Sequence, residues 1–209
     1  MILDIPFVKN PGHQCGQASV LMILKYFYPE KKINFDNINK VIKFKPGKFT
    51  FPHQLAIALN HFGVKAKAFS KEDCHTGKKG IENFKKWLGK DFDEVFNQWV
   101  DYPVYEWTVR KAKKNGWFKV KSTPFAEIEK LFRKGYLVIG VADWHYLHGV
   151  KNKPYHGLSV IITGIEENHV YINDPDEGKN LKYPKKLLKE AYNHPAISDD
   201  ICVVYGKKK

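Results

Sequence analysis

The run Ala18-Ser19-Val20-Leu21-Met22-Ile23-Leu24 leaves this chain few ways to fold. At helical spacing its apolar side chains surround the axis instead of forming one stripe. A helix over about 15 to 28 must therefore lie inside the protein, with other elements packed around it. The loop Asn10-Pro11-Gly12-His13-Gln14 leads into it, and Cys15 stands in its first turn. A thiol there faces unpaired backbone N–H groups and the positive end of the helix dipole. Both favour thiolate, the nucleophilic form. A cysteine on its own is more often a small buried hydrophobe. Cys15 becomes a candidate nucleophile through a histidine and an aspartate far along the chain.

Around that helix the pattern is helical first and extended later. Ile38, Val41 and Ile42 follow Asp36 at helical spacing, and Leu55, Ala58, Leu59 and Phe62 form a helical face stopped by Gly63. Val64 to Phe69 alternates lysines with apolar residues, as a short strand does. Residues 70 to 121 change character: glycines at 77, 80 and 89 divide amphipathic stretches carrying Trp87, Trp99, Trp107 and Trp117. This segment reads as a helical insertion whose tryptophans pack on the core. A helix over Ala126–Arg133 follows. Strands are expected at 136–142, 158–162, 169–173 and 201–205, with a short helix at 185–192. Helices followed by an antiparallel sheet indicate an α+β fold, in one domain spanning 1–209.

Composition limits the function classes. Of 209 residues, 43% are hydrophobic and 14% aromatic, enough for a core without disulfide staples. Three scattered cysteines make no disulfide framework, and no apolar run reaches the length of a membrane span. The start lacks the pattern of a signal peptide, so a reducing cytoplasm is the expected compartment. The net charge of +13 suggests an acidic partner. Only Arg110 and Arg133 are arginine, however, and the lysines are dispersed. A solvated lysine coat therefore fits better than a nucleic-acid surface.

A thiolate needs an imidazole partner, and the imidazole an orienting group. His156 opens the strand Leu158-Ser159-Val160-Ile161-Ile162, and Asp174 closes the next, Val170-Tyr171-Ile172-Asn173-Asp174. A hairpin with histidine at one end and aspartate at the other brings the two together. A perfectly regular hairpin would pair Asp174 nearer Val160 or Ile161, so a bulge or a splayed end is required. Asn173 is the neighbouring alternative, since an amide can also orient imidazole.

The pieces Ile5-Pro6-Phe7, Gln14-Cys15-Gly16, Ala18-Ser19 and Met22-Ile23-Leu24-Lys25-Tyr26 resemble the opening of the papain-like bacteriocin-leader (double-glycine) peptidases and their free-standing relatives. His156-Gly157-Leu158-Ser159-Val160-Ile161-Ile162-Thr163-Gly164 and Val170-Tyr171-Ile172-Asn173-Asp174-Pro175 resemble that family's second block. Residues 70 to 121 match nothing in it. The resemblance implies a papain-like fold: an N-terminal helical part, with the Cys-bearing helix at its centre, packed on a C-terminal antiparallel sheet. It implies Cys15 as nucleophile, His156 as general acid/base and Asp174 as orienting residue. It also implies hydrolysis of a peptide or protein substrate through an acyl-thioester, without a cofactor. Such enzymes carry a glutamine five or six residues before the cysteine to hold the oxyanion. Here Lys9 and Asn10 stand there, leaving Asn10, or else Gln14, as the amide donor. No phosphate-binding loop of the Gly-x-x-x-x-Gly-Lys type is present, so a free-standing member is expected.

Two other readings compete. Asp143, His145 and His148 carry zinc-compatible side chains but follow no established ligand spacing, and Cys74-His75 has no second pair; no metal is expected. A peptide-binding module on the same fold, weakly active or inactive, is the alternative. The missing glutamine favours it, and the retained Cys15, His156 and Asp174 oppose it.

Overall fold

The computed structural model describes residues 2–71, 75–150, 156–193 and 200–208, apart from the side chains of Trp87 and Asp91. Helices α1 (Cys15–Phe27), α2 (Phe35–Ile42) and α3 (Pro52–His61) come first, and then strand β1 (Val64–Ser70). Helices α4 (Gly77–Leu88), α5 (Phe92–Trp99) and α6 (Tyr102–Lys114) follow, ahead of β2 (Phe118–Val120) and α7 (Phe125–Arg133). The remainder is β3 (Leu137–Asp143), the short α8 (Trp144–Leu147), β4 (Gly157–Ile165), β5 (His169–Asp174), β6 (Gly178–Pro184), α9 (Lys185–Tyr192) and β7 (Ile201–Lys207). The architecture is α+β. Among the described residues no helix is long and apolar enough to cross a membrane.

One seven-stranded sheet, in the order β2-β1-β7-β3-β4-β5-β6, organises the molecule. Its pairings are antiparallel except β1 with β2, which run parallel. Helices cover both faces, and the strands show it by alternation. Leu137, Ile139, Ile161, Cys202 and Val204 pack with α1, α2 and α3. Val138, Val160, Ile162, Ile201 and Val203 pack with α7 and α9. A strand buried on both faces is apolar at most positions, which is why β3, β4 and β7 read as near-continuous apolar runs.

Helix α1 is central, as its sequence requires. Residues Gly16 to Leu24 are all buried, and the helix packs against α2, α3 and β4. Gln17, wholly buried on it, is satisfied from two sides: its amide donates to Asn39 Oδ1 and its oxygen accepts from Thr50 Oγ1. Helices α4 to α6 build a separate apolar cluster around Phe84, Val95, Tyr105 and Val109, closed by Phe49 and Phe51. Of the tryptophans described there, Trp99 packs against this cluster and Trp117 against the α1–α3 core. Lys43 and Lys111 lie over the ring of Trp107.

Two strands escape the sequence pattern. β2 is only three residues long, with Lys119 and Val120 exposed. β6 has no fully buried side chain and is held by its backbone pairing with β5.

Candidate active site

The N-terminus of α1 meets the start of β4 at a cleft of about 480 Å³. Cys15, His156, Asn10 and Asp176 line one part of it; Phe49, Phe51 and Trp99 line another. The α4–α6 segment thus supplies a wall of the cleft, through Glu94, Gln98 and Trp99 of α5. Two ties hold this wall: Phe49 N–H donates to the Trp99 carbonyl at 2.7 Å, and Lys48 Nζ donates to the carbonyls of Asn97 and Gln98. Trp99 stacks on Phe49 with ring centres 5.8 Å apart and meets the His13 ring at 5.6 Å.

Cys15 is part-buried and packs against the α7/α9 core. Burial pushes its thiol pKa up, and the charge of Asp176 adds to this. The Ser159 N–H and hydroxyl and the Gly16 N–H, all directed at the sulfur, act the other way without overcoming burial. The thiolate expected at a helix N-terminus is therefore not the resting form: desolvation outweighs the helix end. Ser159 is fixed in turn, its carbonyl accepting from Ser19 Oγ at 3.2 Å.

His156 precedes β4 and its ring sits 5.9 Å from Trp144 and 5.4 Å from His145. Partial burial lowers its pKa, and the charges of His145 and His13 lower it too. Asp176 and Asp143 act in the opposite sense. Cys15 and His156 are thus both biased toward their neutral forms.

The structure does not bring Asp174 to His156. β4 pairs with β5 as Ile161↔Asn173 and Ile162↔Ile172, which carries Asp174 opposite Val160, four residues from His156. A bulge does exist, at Thr163 between Ile162 and Gly164, but it lies on the turn side of these pairs and cannot close the gap. Asp174 is wholly buried and has a turn-making role: its Oδ1 accepts the N–H groups of Asp176 and Glu177. Its Oδ2 has no partner among the described residues. Burial raises its pKa. Asn173, the alternative, is also spent elsewhere. Its amide donates to the Ile5 carbonyl and to Met22 sulfur, and its oxygen accepts from Asn180 N–H.

Asn10 lines the cleft but has another task. Its oxygen accepts from Gly12 and Gln14 N–H, its N–H donates to the Pro175 carbonyl, and its side-chain amide donates to Asp176 Oδ1 at 2.6 Å. It staples the loop before Cys15 to the turn after β5. Gln14 is aimed at Asn39, whose amide it accepts at 2.8 Å. Of the residues considered for zinc, Asp143 caps α8 through His145 N–H, and His148 Nδ1 bonds the Trp144 carbonyl. Cys74 lies outside the described residues.

Asp176 is the residue that sequence reasoning missed. Its signal was an acidic side chain two positions beyond Asp174 in Asp174-Pro175-Asp176-Glu177.

The sequence matches no family model and no curated protein. The fold does match solved structures. A C39-like peptidase from Bacillus anthracis superposes with a TM-score of 0.53 over 100% of this chain and 98% of that one, at 14% identity. A double-glycine-motif protease from an AMS/PCAT transporter, solved with its leader peptide, gives 0.50 over 99% and 94%, at 15% identity. At such identities the likeness is one of fold.

Proposed function

We propose that this protein is a cysteine peptidase or amide hydrolase in which Cys15 is the nucleophile and His156 the general acid/base. The observation that carries this reading is the shared cleft. A cysteine in the first turn of the buried central helix and a histidine at the start of the neighbouring strand line one cavity roomy enough for a peptide segment. The fold is that of C39-like peptidases.

The resting electrostatics shape the mechanism. With thiol and imidazole both held neutral, attack proceeds by general-base catalysis, not from a preformed ion pair. Neutral His156 takes the Cys15 proton as sulfur attacks the carbonyl, then passes it to the departing amine. A water activated by His156 releases the acyl group from sulfur. The oxyanion role goes to backbone N–H groups at the start of α1, since the Asn10 amide donates to Asp176 and the Gln14 side chain is turned toward Asn39. Action in a reducing compartment, within one domain carrying its helical segment as an insertion, belongs to the same proposal.

The test is covalent labelling by a peptidyl chloromethyl ketone, followed by intact mass and peptide mapping. The expected result is one adduct, on Cys15, formed at least tenfold more slowly in His156→Ala. Equal labelling of all three thiols, indifferent to His156→Ala, would refute it. The second reading, a peptide-binding module without turnover, draws on the neutral resting groups and on the engaged Asn10 amide. It predicts peptide binding with no Cys15-dependent product.

A further inference from the structure

Resting on the reading of Cys15 and His156 as the reacting pair, we infer that Asp176, and not Asp174, is the carboxylate that positions His156. The two aspartates occupy different environments. Asp174 is sealed in the protein, opposite Val160, with Leu158 and Ile162 as its diagonal neighbours on β4. One of its oxygens makes the turn after β5, and the other meets no donor among the described residues. An imidazole partner would have supplied that donor. Leu158 occupies the strand position from which a side chain would reach it, and Leu158 is itself buried.

Asp176 has the opposite properties. It lines the cleft together with Cys15 and His156. Asn10 fixes it by donating to Oδ1, while Oδ2 receives no hydrogen bond among the described residues. Asn10 also holds Gly12 and Gln14, so one short network positions the carboxylate and the loop that delivers Cys15. The charge of Asp176 reaches both reacting groups. Asp143, across the sheet at the register position of Gly157, is the remaining carboxylate acting on His156. It is buried, and its Oδ1 caps α8. In this arrangement Asp176 stabilises the imidazolium that forms when His156 takes the thiol proton, and Asp174 shapes the turn that presents Asp176.

The experiment is NMR titration of the His156 ring, with side-chain carbon and nitrogen labels and assignment by His156→Gln. It is run on the wild type and on Asp176→Asn, Asp176→Glu, Asp174→Asn and Asp143→Asn. Asp176→Asn retains an amide oxygen for Asn10 and removes only the charge, so it stays folded. Its His156 midpoint falls, and the ring nitrogen shifts move toward the tautomer mixture of free imidazole. Asp176→Glu recovers most of both. Asp174→Asn lowers the melting temperature and leaves the His156 midpoint in place. The inference is overturned if Asp176→Asn leaves midpoint and nitrogen shifts unchanged, or if Asp174→Asn or Asp143→Asn moves them more. The titration needs no activity. Loss of the catalytic reading shows separately, as chloromethyl ketone labelling of Cys15 that is indifferent to His156→Ala.

Discussion

Acidification acts on the folded protein through His53. This side chain is 2% exposed, stands on α3 facing α6, and is bonded through Nε2 to Thr108 Oγ1 at 2.9 Å. Thr108 donates its own proton to the carbonyls of Val104 and Tyr105, so the imidazole N–H is the donor to it. Phe51 stacks on the ring, and Tyr105 and Phe118 meet it edge-on. Burial, helped by the Lys113 charge, lowers its pKa from the ordinary 6.5 to about 3. The sign follows from linkage: a depressed folded-state pKa means that the unfolded chain binds the proton first. The stabilisation is complete above pH 6.5 and is lost as pH falls toward 3. At about 1.36 kcal/mol per unit, the loss between pH 7 and pH 4.5 is about 2.5 kcal/mol. At pH 4.5 this figure hardly depends on how far below that pH the folded value lies. Carboxylates titrate in the same range, so the quantity to measure is a double difference. Urea unfolding, followed by tryptophan fluorescence, is run on the wild type and on His53→Phe at pH 7 and pH 4.5. Phenylalanine fits the aromatic surroundings and cannot titrate. The wild type should lose about 2.5 kcal/mol more than the variant. Losses equal to within about 0.5 kcal/mol would show that His53 is not held neutral by the fold.

Other consequences are open to measurement. The lowered pKa of His156 keeps its base form available under mild acid, so the acid limb of Cys15 labelling by a peptidyl chloromethyl ketone should lie below pH 6.5. A limb at or above that value contradicts the neutral resting pair. Asn173→Ala leaves the part-buried Asn180 N–H and the buried Ile5 carbonyl without their side-chain partner and should cost about 2 to 3 kcal/mol in urea unfolding. Met22→Ala empties a fully buried position of α1 and should cost about 2 to 5 kcal/mol in the same assay.

How much of this was legible in the sequence depends on what holds each element. α1, β3, β4 and β7 are specified by apolar side chains that must be buried, so their positions can be read from the residues. β6 is specified by the open edge of β5. Its residues Gly178-Lys179-Asn180-Leu181-Lys182-Tyr183-Pro184 offer only the pair Leu181 and Tyr183 to the core, too short an alternation to mark a strand. The parallel pairing of β1 with β2 depends on where α4 to α6 return the chain, which short amphipathic stretches do not encode.

The candidate site divides along the same line. Cys15 and His156 sit at the ends of strongly patterned elements, and both reach the cleft. Asp174 depends on strand register, which one bulge can shift. The sequence already placed it nearer Val160 or Ile161, and the structure sets it opposite Val160. Protonation states were not legible at all. The helix N-terminus beside Cys15 is visible in the sequence, but the burial that outweighs it comes from tertiary packing against a core built from later parts of the chain.

Incubation of the purified chain with a defined peptide library, with products read by mass spectrometry, tests the hydrolase reading most directly when Cys15→Ser is run in parallel. New peptide termini formed by the wild type and lost, by a hundredfold or more, in Cys15→Ser are the predicted result. Peptide binding with no new termini, or termini formed equally by Cys15→Ser, would contradict it.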